Sequence, residues 1–545
     1  MKCLSSAGRD ARDRKTRRPL RFTGVTPFAS RVIAALCAAA CLVGGPVIGA
    51  DAESADRAAP MDRATLTGAT TAPPRTDVSV LWILLDEAPL WPLLRTDGSI
   101  NARRFPGFAS LAGASTWYRD TLSTAQWTYF AVPSILEGRY PTFTGDPTFK
   151  DRPNNLFTAL AGSKAMDVRE VVTTMCPRSA CTNVMTNYKQ MSVVDQVEML
   201  EGTIARSASA RKPTLHFVHV ALPHRPWNLT PDMRVAASPP PTERSADPVD
   251  RKRDSYQWHM RQYLATDSII GSMVQKLKSS ANWDRTMVIV TADHGLTFSP
   301  GESIRDRINT ANPGSMDDVF RVPLFIKYPN QSRGTISDCT VSTVDLLPTV
   351  LAATGTRARW KMDGVDLGSQ CPRRNSRPVR WPNGKAELRS TFADALKRVT
   401  FYNSWIAANG NTDDIYRVGL SGSLIGTRVP ATATIDTSIT WTLQNPDAFR
   451  VPKVARFSRV PALTTGFVTA SRPIDRREEG LIVINGTIVA VAAELAGRPS
   501  SAKPGFFWSV PNTRFIGAGN HRVELWTATW RGSKPTLRRV GPPQN

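Results

Sequence analysis

Residues 78–87 read VSVLWILLDE, an unbroken apolar run that ends in two acidic residues. A strand buried on both faces of a parallel sheet has this pattern, because neither of its faces alternates with polar residues. Three similar runs follow, LHFVHVAL (215–222), TMVIVTADHG (286–295) and VPLFIKY (322–328). The sequence therefore predicts a sheet that is largely parallel.

Helical patterns lie between these apolar runs. Apolar residues recur at helical spacing over residues 255–280, and shorter patterns of the same kind cover 105–113 and 341–355. Strands that alternate with helices indicate an α/β domain, a parallel sheet flanked by helices. We predict that this domain spans residues 78–371.

A different pattern begins after the α/β domain. Short runs such as SITWTLQ (438–444) and HRVELWTATW (521–530) alternate polar and apolar residues, and Asn-Gly at 485–486 is a hairpin signal. We therefore predict a smaller C-terminal β-rich domain over residues 372–545.

The first fifty residues have the composition of a targeting segment. Nine basic residues precede or begin an uncharged apolar run at 32–50. This order predicts an export signal or a single membrane helix, followed by a linker at 51–77. We expect an exported protein that is either secreted or anchored in the membrane and facing the periplasm or the outside.

The chain of 545 residues carries a net charge of +23. A nucleic-acid-binding protein is one interpretation of such a charge. Arginine is scattered along the whole chain, however, rather than gathered beside aromatic residues. Together with the export signal, this distribution argues against a nucleic-acid partner.

Four cysteines lie beyond the leader, and an even number of cysteines in an exported chain suggests disulfides. We predict the pairs Cys176–Cys181 and Cys339–Cys371. A zinc site is the alternative, but the spacing does not match the usual zinc patterns.

Potential metal ligands follow two of the predicted strands. Asp86 and Glu87 end the first run, and Asp293 and His294 end the run at 286–295. Ligands collect at the carboxyl ends of parallel strands. Carboxylates with an imidazole suit a divalent cation, so we predict a site for Mn²⁺, Ca²⁺, Mg²⁺ or Zn²⁺.

Two further segments carry residues suited to ester chemistry. Thr128 begins a predicted short helix that ends at Gly138. At the start of a helix, free backbone N–H groups favour anions. A metal beside its hydroxyl would make Thr128 a nucleophile, and an ordinary helix cap is the alternative. His224 lies between two prolines, where it could donate to a substrate oxygen or protonate a leaving group.

Seven motifs in order give the chain a family resemblance. They are Asp86 at a strand end, T-x4-P-S-x-L-x-G-R-Y-P from Thr128, P-H-x-P (223–226), T-A-D-H-G (291–295), V-P-L-F-I-K-Y-P (322–329), D-L-L-P-T (345–349) and M-D-G-V-D-L (362–367). Together they resemble the sulfatase N-terminal domain of the alkaline phosphatase superfamily, over roughly residues 78 to 370.

The resemblance implies a role for each matching residue. Metal ligands are implied at Asp86, Asp293, His294 and Thr128, with Glu87 as a further acid, while Thr128 is the implied nucleophile and His224 contacts the substrate. We also expect Trp127 and Arg139, which flank the predicted helix, to contact the substrate.

One departure from the family pattern bears on the reaction. Sulfatases usually carry Cys or Ser within C-x-P-x-R, where that first residue is converted to formylglycine. Here the matching residues are Thr128, Phe130 and Val132. Threonine cannot form that aldehyde, and it is similar to the nucleophile of the phosphoglycerol and phosphoethanolamine transferases.

These features together predict an exported metal-dependent hydrolase or transferase. It would act on phosphate or sulfate esters, such as those of a lipid headgroup or an envelope glycan, through a threonine-linked intermediate. A sulfuric ester hydrolase without formylglycine and a non-enzymatic envelope binding protein are the alternatives.

Overall fold

The structure is a computed structural model that describes residues 77–181, 191–237, 249–475, 477–492 and 505–544. The chain divides into two compact units, Met1–Ala59 and Pro60–Asn545, and every described residue belongs to the second. The predicted leader (1–50) and all but the last residue of the predicted linker lie outside the described residues. Among the helices that are described, none combines the length and the apolar character needed to cross a membrane.

The described residues form eight α-helices and twenty-one strands. The helices are α1 Pro106–Ala112, α2 Thr128–Glu137, α3 Leu156–Leu160, α4 Val193–Ala208, α5 Val249–Lys278, α6 Pro313–Phe320, α7 Leu346–Ala353 and α8 Phe392–Asn403. The first ten strands are β1 Ser79–Asp86, β2 Thr116–Leu122, β3 Ala165–Arg169, β4 Thr214–Pro223, β5 Val235–Ala236, β6 Thr286–Ala292, β7 Leu324–Lys327, β8 Thr335–Ser342, β9 Arg377–Trp381 and β10 Gly384–Leu388. The others are β11 Ile435–Asp436, β12 Ile439–Leu443, β13 Arg450–Val451, β14 Arg459–Val460, β15 Thr464–Ala470, β16 Glu478–Ile484, β17 Thr487–Ala492, β18 Gly505–Ser509, β19 Gly519–Asn520, β20 Val523–Arg531 and β21 Lys534–Gln544.

A seven-stranded sheet forms the centre of the α/β domain. Its strand order is β3-β4-β1-β6-β7-β2-β8. Strands β3, β4, β1 and β6 are mutually parallel, while β7 runs antiparallel to both β6 and β2. The predicted α/β class and largely parallel sheet are therefore confirmed, with β7 as the one reversed strand.

Strand β1 is apolar throughout because both of its faces are covered. Leu81 and Ile83 belong to the core that includes α1 and α5, whereas Trp82 and Leu84 belong to the core that includes α2, α3 and α7. All eight residues of β1 are buried. Since neither side meets water, the sequence of this strand has no polar alternation.

The C-terminal part is β-rich, as predicted. A five-stranded sheet, β11-β21-β20-β16-β17, and a three-stranded sheet, β12-β15-β18, enclose an apolar core of their own. Asn485 and Gly486 join β16 to β17 with φ of 51° and 82°, the left-handed conformation that a tight hairpin needs.

The five-stranded sheet also packs against the α/β domain. Leu481 and Trp526 lie in the same core cluster as Tyr263 of α5. Helix α8 adds Val399 and Tyr402 to that cluster, a helical contribution that the strand-like patterns beyond residue 372 did not predict. One apolar core therefore extends across both parts, beside the core that the C-terminal sheets enclose themselves.

Two disulfides lie in the α/β domain. They join Cys176 to Cys181 and Cys339 to Cys371. The second links β8 to a segment 32 residues further along the chain.

Candidate active site

Three neighbouring strands bring polar side chains to one edge of the sheet. Asp86 is the last residue of β1, Asp293 follows the end of β6, and His219 lies in β4. The Asp293 N–H donates to the Leu85 carbonyl at 3.0 Å, which fixes the strand ends side by side. All three polar side chains are buried.

Asp86, His219 and Asp293 form a set of donors suited to a cation. Each offers one ligand atom, and these atoms lie within 4.8 Å of one another. Among the described residues, neither ring nitrogen of His219 nor Oδ2 of Asp293 has a hydrogen-bond partner. Buried polar atoms rarely stay unpaired, so the arrangement fits a divalent ion held by oxygen and nitrogen atoms.

The charges of this cluster also fit a cation. Burial, followed by the nearby Asp86 carboxylate, raises the pKa of Asp293 well above its usual range. Burial lowers the pKa of His219 to about 4, so its ring is neutral at neutral pH and one ring nitrogen has a lone pair available. A bound cation would relieve the repulsion between the two carboxylates.

Thr128 lies beside this cluster at the first position of α2. Its Oγ1 is 3.4 Å from Asp86 Oδ1 and 3.3 Å from His294 Nε2. Trp127 is the capping residue, and its side chain makes no cap hydrogen bond. The Thr128 hydroxyl therefore faces the acidic cluster rather than capping the helix.

Arg305 connects the cluster to the loop that contains His224. Its Nη1 is 2.6 Å from His294 Nε2, its Nη2 is 3.1 Å from His224 Nε2, and its Nε is 2.8 Å from Glu87 Oε1. The Arg305 side chain is 14% exposed, whereas that of Glu87 is fully buried. This ion pair is therefore largely shielded from solvent. It holds the positively charged guanidinium of Arg305 beside the cluster.

The hydrogen bonds define which ring nitrogens carry protons. His294 Nδ1 donates to the Gly295 carbonyl at 2.9 Å, and His224 Nδ1 donates to the Arg225 carbonyl. Since Arg305 can only donate, both Nε2 atoms are acceptors in this arrangement. Burial and Arg305 lower the pKa of His294 to about 3, so its ring is neutral, and the Nε2 lone pair that a metal ion would use accepts from Arg305 here.

Glu87 leaves the cluster because the backbone turns sharply after Asp86. The φ angle of Glu87 is 58°, in the left-handed region that residues other than glycine seldom adopt. Burial raises the pKa of Glu87, but nearby positive charge, including that of Arg305, outweighs it and lowers that pKa below its usual range. The structure thus places the predicted additional acid as the ion-pair partner of Arg305.

An open cavity of about 360 Å³ lies in front of Thr128. Its lining consists of Asp86, Trp127, Thr128, Tyr129, Phe130, Val172, His224 and Arg305. The rings of Trp127 and Phe130 lie 6.1 Å apart and make one apolar side, while Asp86 and Arg305 are charged. Such a cavity suits an anionic group attached to a partly apolar body.

The structure brings most of the predicted site residues together and leaves one aside. Asp86, Thr128, Asp293 and His294 meet at the cluster, and Trp127 and His224 line the cavity. Arg139, predicted to contact substrate, lies past the other end of α2, about 15 Å along the helix from Thr128. Its Nε donates to the Lys361 carbonyl at 2.6 Å, and Arg139 is not among the residues that line the cavity in front of Thr128.

Two residues of the site were missed from the sequence. His219 is embedded in an apolar strand, and only the adjacency of β4 and β1 in the sheet reveals its position. A histidine inside a buried run was the available signal. Arg305 lies in a loop without a motif, twelve residues after Asp293, and no sequence signal distinguishes it from the many other arginines.

Comparison with known proteins places this geometry in context. The family model described as Sulfatase matches residues 80–356. The Ulvan-active sulfatase of Formosa agariphila is 25% identical over 187 residues, which cover 33% of this chain and 35% of that protein. The low-salt glycan biosynthesis sulfotransferase Agl7 of Haloferax volcanii is 23% identical over 256 residues, covering 46% and 58%. The match thus spans less than two thirds of either relative's length.

Two matches among solved structures are as follows. A protein in the alkaline phosphatase superfamily from Vibrio parahaemolyticus has 15% identity and a TM-score of 0.42, covering 62% of this chain and 90% of that one. The phosphonate monoester hydrolase of Silicibacter pomeroyi has 17% identity and a TM-score of 0.39, covering 55% and 79%.

Proposed function

The chain belongs to the sulfatase family, and on that premise we propose that it is a metal-dependent enzyme that cleaves or transfers phosphate or sulfate esters. Thr128 is the proposed nucleophile. The observation that carries the proposal is the position of Thr128 Oγ1, 3.4 Å from Asp86 Oδ1 and 3.3 Å from His294 Nε2, at the mouth of the cavity. A hydroxyl with a purely capping role has no need of these neighbours.

Asp86, Asp293 and His294 are the proposed ligands of the ion, with His219 as a fourth donor. Two carboxylates and imidazole nitrogens favour Mn²⁺ or Zn²⁺ over the all-oxygen sites of Ca²⁺ and Mg²⁺. When bound, the ion lowers the pKa of the Thr128 hydroxyl and offsets negative charge on the ester group.

The proposed reaction proceeds in two displacements. Thr128 Oγ1 attacks the phosphorus or sulfur atom, the bond from that atom to the leaving oxygen breaks, and the proton released by Thr128 ends on the leaving oxygen, which departs as an alcohol. A water or an acceptor hydroxyl then attacks the Thr128-linked group and frees Thr128. Hydrolysis and transfer differ only in this second nucleophile.

Arg305 is the proposed donor to the anionic oxygens of the ester. Family members usually carry an arginine in C-x-P-x-R, and Val132 stands at the matching position here. The N–H groups that face the cavity belong instead to Arg305, which His224 and Glu87 hold in place. A guanidinium forms paired hydrogen bonds to such oxygens, so Arg305 can take over this task from a different loop.

We propose that the substrate lies outside the cytoplasm. The basic and apolar leader supports export. Two of the similar proteins are described by glycan substrates or glycan biosynthesis, an ulvan-active sulfatase and a low-salt glycan biosynthesis sulfotransferase. An anionic glycan is therefore the favoured substrate class over a lipid headgroup.

The test is turnover by the purified full chain with added Mn²⁺. Chromogenic sulfate, phosphate-monoester and phosphodiester substrates are offered to the wild type, to Thr128→Ala, and to Thr400→Ala, which removes an exposed helical threonine of α8. We expect turnover of at least one ester that Thr128→Ala loses and Thr400→Ala keeps, and that a chelator abolishes.

The pattern of substrates then separates the alternatives. Cleavage of the sulfate ester alone, dependent on Thr128, would identify a sulfuric ester hydrolase that works without formylglycine. Full activity in Thr128→Ala would overturn the proposal. No turnover together with no stoichiometric metal would favour an envelope binding protein.

A further inference from the structure

A second cavity, of about 420 Å³, adjoins the catalytic one. His224 lines both cavities. The second cavity lies between the start of α4, the loop that follows β4, and the C-terminal β-rich part, which contributes Phe457 and Arg459. A molecule whose ester group sits before Thr128 would extend past His224 into this space.

Backbone pairing attaches the C-terminal part to this cavity. Strand β14 pairs in parallel with β5, with Arg459 opposite Val235. The Phe457 N–H donates to the Met233 carbonyl at 2.8 Å. Phe457 and Met233 both have a positive φ, 62° and 59° respectively. This conformation is uncommon for residues with large side chains. Strained backbone that the surroundings hold in place is found most often at ligand sites.

The lining of the second cavity combines apolar, polar and cationic groups. Met191 and the half-buried ring of Phe457 supply apolar surface, and Arg459 supplies an exposed cation. Asn228 Oδ1 is buried, and no described residue donates a hydrogen bond to it. An unpaired buried acceptor calls for a donor, such as a hydroxyl of a ligand.

We propose that this second cavity is the subsite for the sugar unit next to the reacting ester, and that it selects an anionic sugar. Met191 and the part of the Phe457 ring that the Arg456 guanidinium, 4.5 Å from the ring centroid, leaves uncovered supply apolar contact to a sugar ring. Asn228 accepts from a sugar hydroxyl, and Arg459 pairs with a carboxylate or sulfate substituent. The inference rests on the proposed function for the direction of the substrate, and it assigns a specific task to the C-terminal part.

Binding measurements test the subsite without any turnover. The full chain is titrated calorimetrically with a hyaluronan hexasaccharide, which carries carboxylates but no sulfate or phosphate ester, and with neutral chitohexaose of equal length. Arg459→Ala is compared with Arg450→Ala, which removes the same charge from a 68% exposed side chain outside the cavity. This matched control corrects for non-specific attraction to a chain of net charge +23.

We expect the anionic hexasaccharide to bind more tightly than the neutral one, and Arg459→Ala to weaken it at least tenfold while Arg450→Ala changes it less than twofold. Equal binding of both sugars, or equal loss in both variants, would overturn the inference. Binding to phosphatidylglycerol vesicles that depends on Arg459, with no binding of either sugar, would also overturn it and identify a lipid headgroup site.

Two provisions keep the result interpretable. Arg459→Gln retains the side-chain stem without the charge, so it replaces Arg459→Ala if that variant fails to fold. Ester turnover is measured separately: Arg459-dependent sugar binding by a chain that cleaves no ester would sustain the subsite and reject the proposed function. Ester turnover together with sugar binding that does not depend on Arg459 would support the proposed function and reject the subsite.

Discussion

At the scale of single residues, the site depends on how one arginine is shared. Arg305 donates to His294 and His224 and pairs with Glu87, so it holds a positive charge beside the two carboxylates of the cluster. Opposite charges in this partly buried setting raise the pKa of Arg305 despite the cost of burial. Arg305 therefore stays charged and available to an anionic substrate at any pH where the protein is folded.

Replacing Arg305 should separate catalysis from metal binding. We expect Arg305→Ala to lower turnover by about 10²–10³-fold, the usual effect of losing one preorganised donor to a developing anion. Metal content, measured by mass spectrometry on the purified protein, should stay at the wild-type level because Arg305 offers no lone pair to an ion.

Two further variants complete this experiment. Arg307→Ala removes an exposed arginine of the same loop and should leave turnover unchanged. Asp293→Ala should lose the metal itself. Wild-type turnover in Arg305→Ala, or loss of metal from it, would show that the role assigned to Arg305 is wrong.

Site residues at the ends of strands could be predicted from the sequence. Site residues whose role depends on which strands are neighbours in the sheet could not. Asp86 and Asp293 were found because an apolar run that stops at an acid marks the edge of a parallel sheet. His219 was missed because its meaning depends on β4 lying next to β1, although more than a hundred residues separate the two strands.

At the scale of elements, the turn after β6 is fixed by close packing against α6. Gly295 follows His294, and it is absent from the described residues with positive φ. A Cβ at Gly295 would lie 2.3 Å from the Asp318 carbonyl oxygen and 2.9 Å from Pro89 Cβ. The glycine is needed for space rather than for its backbone angles.

A methyl group at Gly295 should therefore disturb both stability and the site. We expect Gly295→Ala to lower the free energy of unfolding by about 1–3 kcal/mol, because backbone atoms of α6 have to move. Turnover should fall as well, since the shift displaces His294. Urea unfolding and ester turnover measure the two effects.

Gly162→Ala is the matched control for that substitution. No atom lies within 4 Å of a Cβ built at Gly162, so its stability should stay within about 0.5 kcal/mol of the wild type. An equal effect of the two substitutions would contradict the packing argument.

The direction of individual strands was beyond the sequence. Strand β7 carries the same kind of apolar run as β1 and β6, yet it runs antiparallel to its neighbours. An apolar run indicates that a strand is buried on both faces, but it does not indicate whether the strand is parallel or antiparallel to its neighbours. The direction of β7 depends on the path of the segments that connect the strands. Helix α8 was not predicted, because strand-like patterns of alternating polar and apolar residues dominate the sequence around it.

At the scale of the whole molecule, the α/β part and the C-terminal sheets share one core. Leu481 and Trp526 are buried in the same cluster as Tyr263 and Val399. A protein built in this way is expected to unfold as one unit, because neither part keeps its apolar surface covered when the other is lost.

Truncating Leu481, in β16 of the five-stranded sheet, should test this coupling. We expect Leu481→Ala to cost about 2–5 kcal/mol of stability, the usual range for a fully buried leucine. Loss of ester turnover on heating and loss of β-sheet circular dichroism should occur at the same lowered temperature.

Leu420→Ala serves as the control, because Leu420 is 56% exposed and its truncation should change stability by less than about 0.5 kcal/mol. If turnover survived in Leu481→Ala after the β-sheet signal was lost, the two parts would unfold independently and the shared core would have no energetic meaning.

The shared core also has a consequence for the timing of folding. Trp526 follows α5 by more than two hundred residues, and a growing chain is made from its amino end. The part of α5 that packs against the C-terminal sheet thus stays uncovered while those residues are made, and contacts of such long range close slowly. A chaperone has that interval in which to hold the chain, and a ribosome that stalls before β16 releases a product exposed to aggregation.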